Sequence, residues 1–253
     1  MVERITSRKH PFVVRLRALA SHAEERARLD ELVCDGEKPL REALAAGAEV
    51  TGVLCCDGHV PPLPADVPCY TAPPDLVAWV SPLKNSPGPV FSCARRPVPP
   101  PARIRRAIVL EQVQDPGNVG TVIRTADALG VDAVILTGAC ADPWGPKVVR
   151  ATMASAFRQP VLSVPTEQLT AFLKQQGLPL YGAALSERAQ DVRSVSLSAA
   201  AVAVGSEGSG LSDTLLAMCD GQVIIPMAPG RDSLNAAVAA SILMWEMVKD
   251  DGR

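Results

Sequence analysis

The sequence predicts an α/β fold in two domains, on three observations. Patterns typical of strands and helices alternate along most of the 253 residues. Prolines accumulate from residue 82 and end in Pro99-Pro100-Pro101, a stiff, extended segment that cannot lie within a central strand. Ala200 to Val204 is an unbroken apolar run, as expected for a parallel strand covered on both faces. We therefore predict domains at 1–98 and 107–253, joined by a Pro/Arg-rich linker at 99–106.

Composition excludes several classes of protein. A hydrophobic content of 47% with 21% charged residues indicates a globular rather than a disordered chain. The net charge of -2 neither favours nor excludes a nucleic-acid partner. The seven cysteines form no C-x-x-C pair, so we expect neither a disulfide framework nor a metal site. We see no secretory signal, and the apolar run at 234–248 is too short to span a bilayer. These features predict a cytoplasmic protein without a membrane anchor.

The first domain begins with a basic segment that contains Arg4, Arg8, Lys9, Arg15 and Arg17. An amphipathic helical pattern follows, with a charged outer face. Two interpretations stay open: a solvated helix face, or a basic arm that binds phosphates, for which arginine is well suited. The rest of this domain alternates between strands at 31–34, 50–55, 67–70 and 91–94 and helices at 38–46 and 74–80.

The second domain shows βα repeats. Arg105 and Arg106 precede its first strand and belong to a second basic cluster. The predicted strands lie at 107–110, 133–136, 180–183, 200–204 and 223–225, and the predicted helices at 119–129, 147–156, 167–175, 211–218 and 234–248.

Three motifs follow strands of this domain, at the carboxyl ends where open α/β sheets bind ligands. The first motif is residues 111–126, which read E-x-x-x-D-P-x-N-x-G-x-x-x-R-T-A. The second motif is residues 204–211, which contain G-S-E-G-S-G-L. The third motif is residues 225–235, which begin I-P-M and end S-L-N.

The second and third motifs suggest a site for a small ligand. The spacing G-x-x-G-x-G fits neither the dinucleotide fingerprint nor the P-loop. A serine hydrolase fits poorly because G-x-S-x-G is absent and every histidine lies in the N-terminal half. Glycines instead let backbone amides approach a ligand closely. The polar Ser-Leu-Asn step between apolar elements is costly unless it binds something, and we expect Asp232 or Ser233 to cap the helix that follows.

Together the three motifs resemble those of the SpoU (TrmH-like) RNA 2'-O-ribose methyltransferases, over roughly residues 105–249. Ile5-Thr6-Ser7-Arg8, with Pro11 and Leu16-Arg17, resembles the substrate-binding domain of the ribosomal RNA members. Asp35-Gly36 stands where those members often have Glu-Gly. The resemblance implies a SPOUT domain, whose mostly parallel sheet carries a trefoil knot, after a small L30e-like α/β domain. It also implies S-adenosylmethionine as cofactor and a homodimer.

The resemblance also implies roles for single residues. Gly205, Ile225 and Leu234 would contact the cofactor, and the reacting side would be lined by Asn118, Arg124, Glu207, Ser233 and Asn235. A ribose 2'-OH must lose its proton as it attacks the methyl group. Because arginine keeps its own proton, we expect Arg124 to hold an RNA phosphate and stabilise the developing alkoxide. It would act as a base only if the phosphate takes the proton.

Several residues keep two interpretations. Glu207 either positions Asn118 and Arg124 or caps the helix at 211–218. Ser233 and Asn235 either face the site or cap the last helix, and residues 115–118 also make an ordinary turn sequence. The candidate RNA contacts are Arg8, Lys9, Arg105, Arg106, Lys147 and Arg150. For Lys147 and Arg150, plain surface charges fit equally well.

The expected activity is S-adenosylmethionine-dependent 2'-O-methylation of structured RNA, most of all 23S-type ribosomal RNA, with the first domain recognising the RNA. Three alternatives stay open: a tRNA 2'-O-methyltransferase, an antibiotic-resistance rRNA methyltransferase, and a non-catalytic RNA-binding assembly factor with the same fold. Cofactor binding would separate the last of these from the enzymes.

Overall fold

The computed structural model describes residues 2–83, 86–228 and 233–251. The chain divides into two compact units. The first comprises Met1–Pro97 and Trp144–Phe157, and the second comprises Val98–Pro143 and Arg158–Arg253. This division differs from the predicted domains in placing residues 144–157 with the first unit. Each unit has a sheet with helices along it, which confirms the α/β class.

The elements are numbered along the whole chain. The strands are β1 (Glu3–Arg4), β2 (Glu31–Asp35), β3 (Val50–Cys56), β4 (Cys69–Ala72), β5 (Val90–Ala94), β6 (Arg106–Glu111), β7 (Ala133–Thr137), β8 (Val161–Ser163), β9 (Leu180–Ala183), β10 (Gln190–Asp191), β11 (Ala200–Val204) and β12 (Gly221–Ile224). The helices are α1 (Pro11–Ser21), α2 (Ala23–Leu29), α3 (Glu37–Ala45), α4 (Pro74–Val80), α5 (Pro116–Leu129), α6 (Pro146–Ala151), α7 (Thr166–Gln176), α8 (Asp213–Met218) and α9 (Ala236–Val248).

The sheet of the first unit has the order β1-β4-β3-β5-β2, with β5 antiparallel to both of its neighbours. One apolar cluster packs α1 and α4 on this sheet through residues such as Phe12, Leu16 and Val77. The amphipathic segment after residue 10 is two helices, because His22 is extended between them (φ -127°, ψ 120°). Arg26 on α2 then donates to the carbonyl oxygen of Leu19 at 2.8 Å, which ties the second helix to the end of the first.

The sheet of the second unit has the order β10-β12-β9-β11-β6-β7-β8, and all of its strand pairs are parallel. Its two central strands, β11 and β6, are buried at every position, as Ala200 to Val204 predicted. Parallel pairing puts the carboxyl ends of β6, β11 and β12 at the same edge. The three motifs therefore leave the sheet on one side, which is the edge that binds ligands in such folds.

Two boundaries differ from the predicted ones for local reasons. The helix predicted at 147–156 ends at Ala151, because Met153 and Ala154 adopt left-handed backbone angles (φ 48° and 67°). The helix predicted from residue 211 starts at Asp213, because Ser212 caps it by accepting a hydrogen bond from the Leu215 amide at 3.1 Å. Within the described ranges no helix is long and apolar enough to cross a membrane.

Candidate active site

The second motif forms a tight loop in which only glycine fits at position 205. A Cβ atom on Gly205 would lie 2.0 Å from the carbonyl oxygen of Gly210 and 2.4 Å from the amide nitrogen of Leu211. The loop closes through a hydrogen bond from the Gly210 amide to the Ser206 carbonyl oxygen at 2.9 Å. Gly210 itself adopts a left-handed conformation (φ 66°). Gly205 therefore serves a close approach of the loop's own backbone. That the glycines let backbone amides approach a ligand stays a prediction.

The three motifs meet through the side chain of Asn118. Its Nδ2 donates to the carboxylate of Glu207 in the second motif. Its Oδ1 accepts a hydrogen bond from Nδ2 of Asn235, in the third motif, at 3.0 Å. The backbone amide of Asn118 also donates to Asp115, the N-cap of α5, at 2.9 Å. The side-chain amide of Asn118 thus binds both Glu207 and Asn235, which lie 89 and 117 positions further along the chain.

Asn235 caps the last helix, which corrects the expectation that Asp232 or Ser233 would do so. Its Oδ1 accepts hydrogen bonds from the amides of Ala237 at 3.0 Å and Val238 at 3.2 Å. Asp232 lies outside the described residues, and Ser233 precedes the cap. The capping interpretation of Asn235 is therefore confirmed for its side-chain oxygen. Its side-chain nitrogen bonds to Asn118, and a role at the reacting side stays a prediction.

Glu207 does not cap the helix after the second motif, since Ser212 does. The carboxylate that supports this cap is Glu111, at the end of β6. Its two oxygens accept hydrogen bonds from the Ser212 amide at 2.8 Å and the Ser212 hydroxyl at 2.6 Å. The Glu111 side chain is buried, with 2% of the residue exposed. Glu111 stood in the first motif without an assigned role; its position at a strand end beside the glycine loop was the signal that could have found it.

A cavity of about 430 Å³ lies beside this cluster, within the size range of small-molecule sites. Its lining includes the three predicted cofactor residues Gly205, Ile225 and Leu234, together with Glu207 and Ser233. Sequence reasoning missed residues 183–185, the end of β9 and the two residues after it, which form part of the wall. Apolar walls with exposed backbone at a glycine loop suit S-adenosylmethionine, whose adenosine and methionine parts offer both apolar surface and hydrogen-bonding groups.

Arg124 lies on α5 and is exposed. Arg124 lies six residues after Asn118 on the same helix, a separation that turns the two side-chain directions about 120° apart around the helix axis. In the described part of the chain no carboxylate pairs with its guanidinium. The structure therefore joins Asn118, Glu207 and Asn235, and leaves Arg124 free for another charged partner.

The thiols near this edge are not nucleophiles. Burial raises the pKa of Cys219 to about 11, with the Asp220 and Glu111 carboxylates adding to the effect. Burial also raises the pKa of Cys140. Hydrogen bonds from backbone groups lower this pKa, but the effect of burial is larger. Both groups are protonated near neutral pH, so covalent catalysis by cysteine is disfavoured. No three metal-binding side chains come together in the described ranges.

The candidate RNA contacts divide into exposed and buried side chains. Arg8, Lys9, Arg105, Lys147 and Arg150 are exposed. Arg106 is buried, and its guanidinium donates to both oxygens of Asp251, at 2.6 and 2.5 Å, and to the Ser198 carbonyl oxygen at 3.1 Å. The expectation that Arg106 contacts RNA is therefore wrong: as the first residue of β6, it ties the strand to the end of the chain.

Comparisons with known proteins agree on one family. A model of the SpoU rRNA Methylase family matches residues 105–245. The chain is 33% identical over 226 residues to the 23S rRNA (guanosine(2553)-2'-O)-methyltransferase RlmP of Bacillus subtilis (strain 168), which covers 88% of this chain and 91% of that protein. It is 30% identical over 265 residues to the 23S rRNA (uridine(2479)-2'-O)-methyltransferase of Streptomyces viridochromogenes, covering 97% and 92%. The AdoMet-bound rRNA methyltransferase from Sinorhizobium meliloti superposes with a TM-score of 0.85 at 27% identity, over 98% of both chains.

Proposed function

The chain belongs to the SpoU rRNA methylase family, and on that premise we propose that it methylates the 2'-hydroxyl of a ribose in ribosomal RNA, of the 23S type, with S-adenosylmethionine as donor. The observation that carries the proposal is the Asn118 cluster, whose Glu207 lines the glycine-loop cavity. The proposal is supported by the meeting of hydrogen-bonding groups from all three motifs, next to a cavity within the size range of small-molecule sites. The relatives named above act on 23S rRNA, which supports that substrate class.

In the proposed reaction, S-adenosylmethionine supplies a methyl group on a positively charged sulfur. The 2'-oxygen forms the new bond to carbon, the carbon–sulfur bond breaks, and the 2'-OH proton leaves to a base. Gly205, Ile225 and Leu234 hold the donor, while Glu207 fixes the orientation of the Asn118 amide. Ser233 and Asn235 border the reacting side. The exposed guanidinium of Arg124 binds an RNA phosphate and stabilises the developing alkoxide, and the phosphate itself is the group that could take the proton.

The test of this activity is transfer of labelled methyl from S-adenosylmethionine to ribosomal RNA. We expect the parent protein to label RNA, and Arg124→Ala and Asn118→Ala to lose most of that labelling. If both variants stay as active as the parent, the site assignment is wrong. Calorimetry with S-adenosylmethionine separates the enzyme from a non-catalytic assembly factor, because the latter would bind no donor.

The family resemblance also leads us to propose a homodimer in the cytoplasm, where ribosomal RNA is found. Support for the dimer comes from α9, whose Val238 and Trp245 are 48% and 58% exposed in the single chain. Exposed apolar groups along one helix favour burial against a partner. Light scattering should give twice the chain mass of 26.6 kDa, and a monomer would overturn this proposal. The trefoil knot and the linker at 99–106 stay predictions.

A further inference from the structure

Two arginines of the first unit share one tryptophan. The Cζ atom of Arg8 lies 5.1 Å from the centroid of the Trp79 ring, and that of Arg17 lies 5.3 Å from it. Arg17 also donates to the carbonyl oxygen of Trp79 at 3.1 Å. Trp79 is partly buried against the apolar cluster under α1 and α4, so the ring is a fixed support. Cation–π attraction toward this ring therefore holds two guanidinium groups in place.

Lys9 follows Arg8 in a short turn. The His10 amide donates to the Ser7 carbonyl oxygen at 3.1 Å, which makes Arg8 and Lys9 the two corner residues. The Lys9 amide also donates to the Ser7 hydroxyl oxygen at 3.1 Å. Both corner side chains are exposed, as is Arg17. We call Arg8, Lys9, Arg17 and Trp79 the Trp79 patch.

Among the residues that the structure describes, the charges of this patch lack the carboxylate partners that several other cations of the unit have. The paired cations elsewhere in the first unit include Arg4 with Asp57, Arg15 with Glu31, Arg28 with Glu25, and Arg95 and Arg96 with Asp30. Within the described residues Arg8, Lys9 and Arg17 have no such partner. Like charges held side by side repel one another, and an added anion would relieve that repulsion.

We propose that the Trp79 patch binds the phosphate backbone of the RNA substrate. Guanidinium groups contact phosphate oxygens bidentately, and a rigid aromatic support reduces the entropy that they lose on binding. Contacts to phosphates fix register and orientation without reading sequence. The patch would thus help to position the RNA for methyl transfer. This inference rests on the proposed function for the identity of the anion as RNA.

The test compares two double variants that change net charge equally. Arg8→Gln with Arg17→Gln removes the arginines of the patch, whereas Arg28→Gln with Arg96→Gln removes exposed arginines that are already ion-paired. Affinity for a protein-free 23S rRNA transcript is measured at several salt concentrations between about 50 and 200 mM. We expect the patch variant to bind about tenfold more weakly and its salt slope to be shallower by about 1.5, which is the loss of two phosphate contacts.

Calorimetry with S-adenosylmethionine accompanies each variant and should give the parent's affinity, since the patch is not part of the cofactor cavity. Equal RNA affinities and slopes for the two double variants would overturn the proposal. Binding to poly-L-glutamate is measured as well. A patch variant that keeps its affinity for RNA but loses its affinity for poly-L-glutamate would also overturn the proposal, because the patch would then bind an acidic protein. A parent protein that binds the transcript through this patch but methylates no rRNA would refute the proposed function alone.

Discussion

The side-chain amide of Asn235 donates to the side-chain carbonyl of Asn118 across 3.0 Å, and with its own oxygen it caps the helix that follows. One residue therefore fixes the start of α9 and holds the first motif in place. This double use makes the two contributions separable by substitution, because aspartate can replace the oxygen but not the donor.

We expect Asn235→Asp to keep the stability of the protein and to lose most of its activity. Aspartate is as good an N-cap as asparagine, but it sets a carboxylate oxygen against the Asn118 oxygen. If the Asn118 amide rotated to present its nitrogen to the new carboxylate, its oxygen would instead face the carboxylate of Glu207. Methyl transfer should fall by about 10- to 100-fold, as for a misplaced reacting group. Thermal unfolding and single-turnover methylation measure the two effects.

Asn235→Ala is the control, since it removes cap and donor together. It should cost about 1 kcal/mol of unfolding free energy in addition to the activity. If Asn235→Asp methylates RNA at the rate of the parent, the contact to Asn118 has no part in the reaction.

Gly205→Ala should abolish binding of S-adenosylmethionine. The added methyl group would lie 2.0 Å from the Gly210 carbonyl oxygen, so the loop must open. Gly208→Ala is the matched control in the same loop, because a Cβ there has no neighbour within 4 Å. Calorimetric titration of both variants tests the difference. Similar affinities for the two would mean that the loop reshapes without loss to the cavity.

Glu111→Gln should weaken cofactor binding more than it slows the bound complex. The Glu111 carboxylate accepts hydrogen bonds from both the amide and the hydroxyl of Ser212. The side-chain amide of glutamine has only one oxygen, so its N–H group would face one of these two donors. An unsatisfied buried donor costs about 1–3 kcal/mol, and the second motif would lose its anchor. We expect KM for S-adenosylmethionine to rise with kcat little changed. A fall in kcat alone would instead indicate a role in the reaction itself.

Stability should fall in the alkaline range partly through Cys219. Burial raises the pKa of its thiol from 9.0 to about 11, so the folded chain keeps a proton that the unfolded chain loses. The contribution of the protonated thiol to the free energy of unfolding is fully present below pH 9 and is lost as the pH rises towards 11. The Tm of the parent should therefore fall more steeply over that range than that of Cys219→Ala. Parallel Tm curves would show that the thiol titrates alike in both states.

The sequence predicted the longer strands of the second sheet and the loops that carry the site, because buried apolar runs and glycine or proline breaks are local signals. It missed the short edge strands β8 and β10, which have two or three residues each and carry no such run. It could not predict which atoms of Asn118 meet which partners. An amide offers both donor and acceptor, and its partners lie far away along the chain. The prediction for Arg106 failed for a related reason: the residue adjoins an exposed arginine, and only the fold brings Asp251 to it.

The contact between Gly205 and the Gly210 backbone also bears on how relatives of this protein come to modify different nucleotides. Because the loop tolerates no added carbon atom at Gly205, selection has almost nothing to vary there, and this part of the donor pocket is expected to persist through divergence. Surface side chains such as Arg8 and Lys9 can be exchanged without disturbing that pocket. New RNA targets are therefore most readily acquired through the part of the molecule that performs no chemistry.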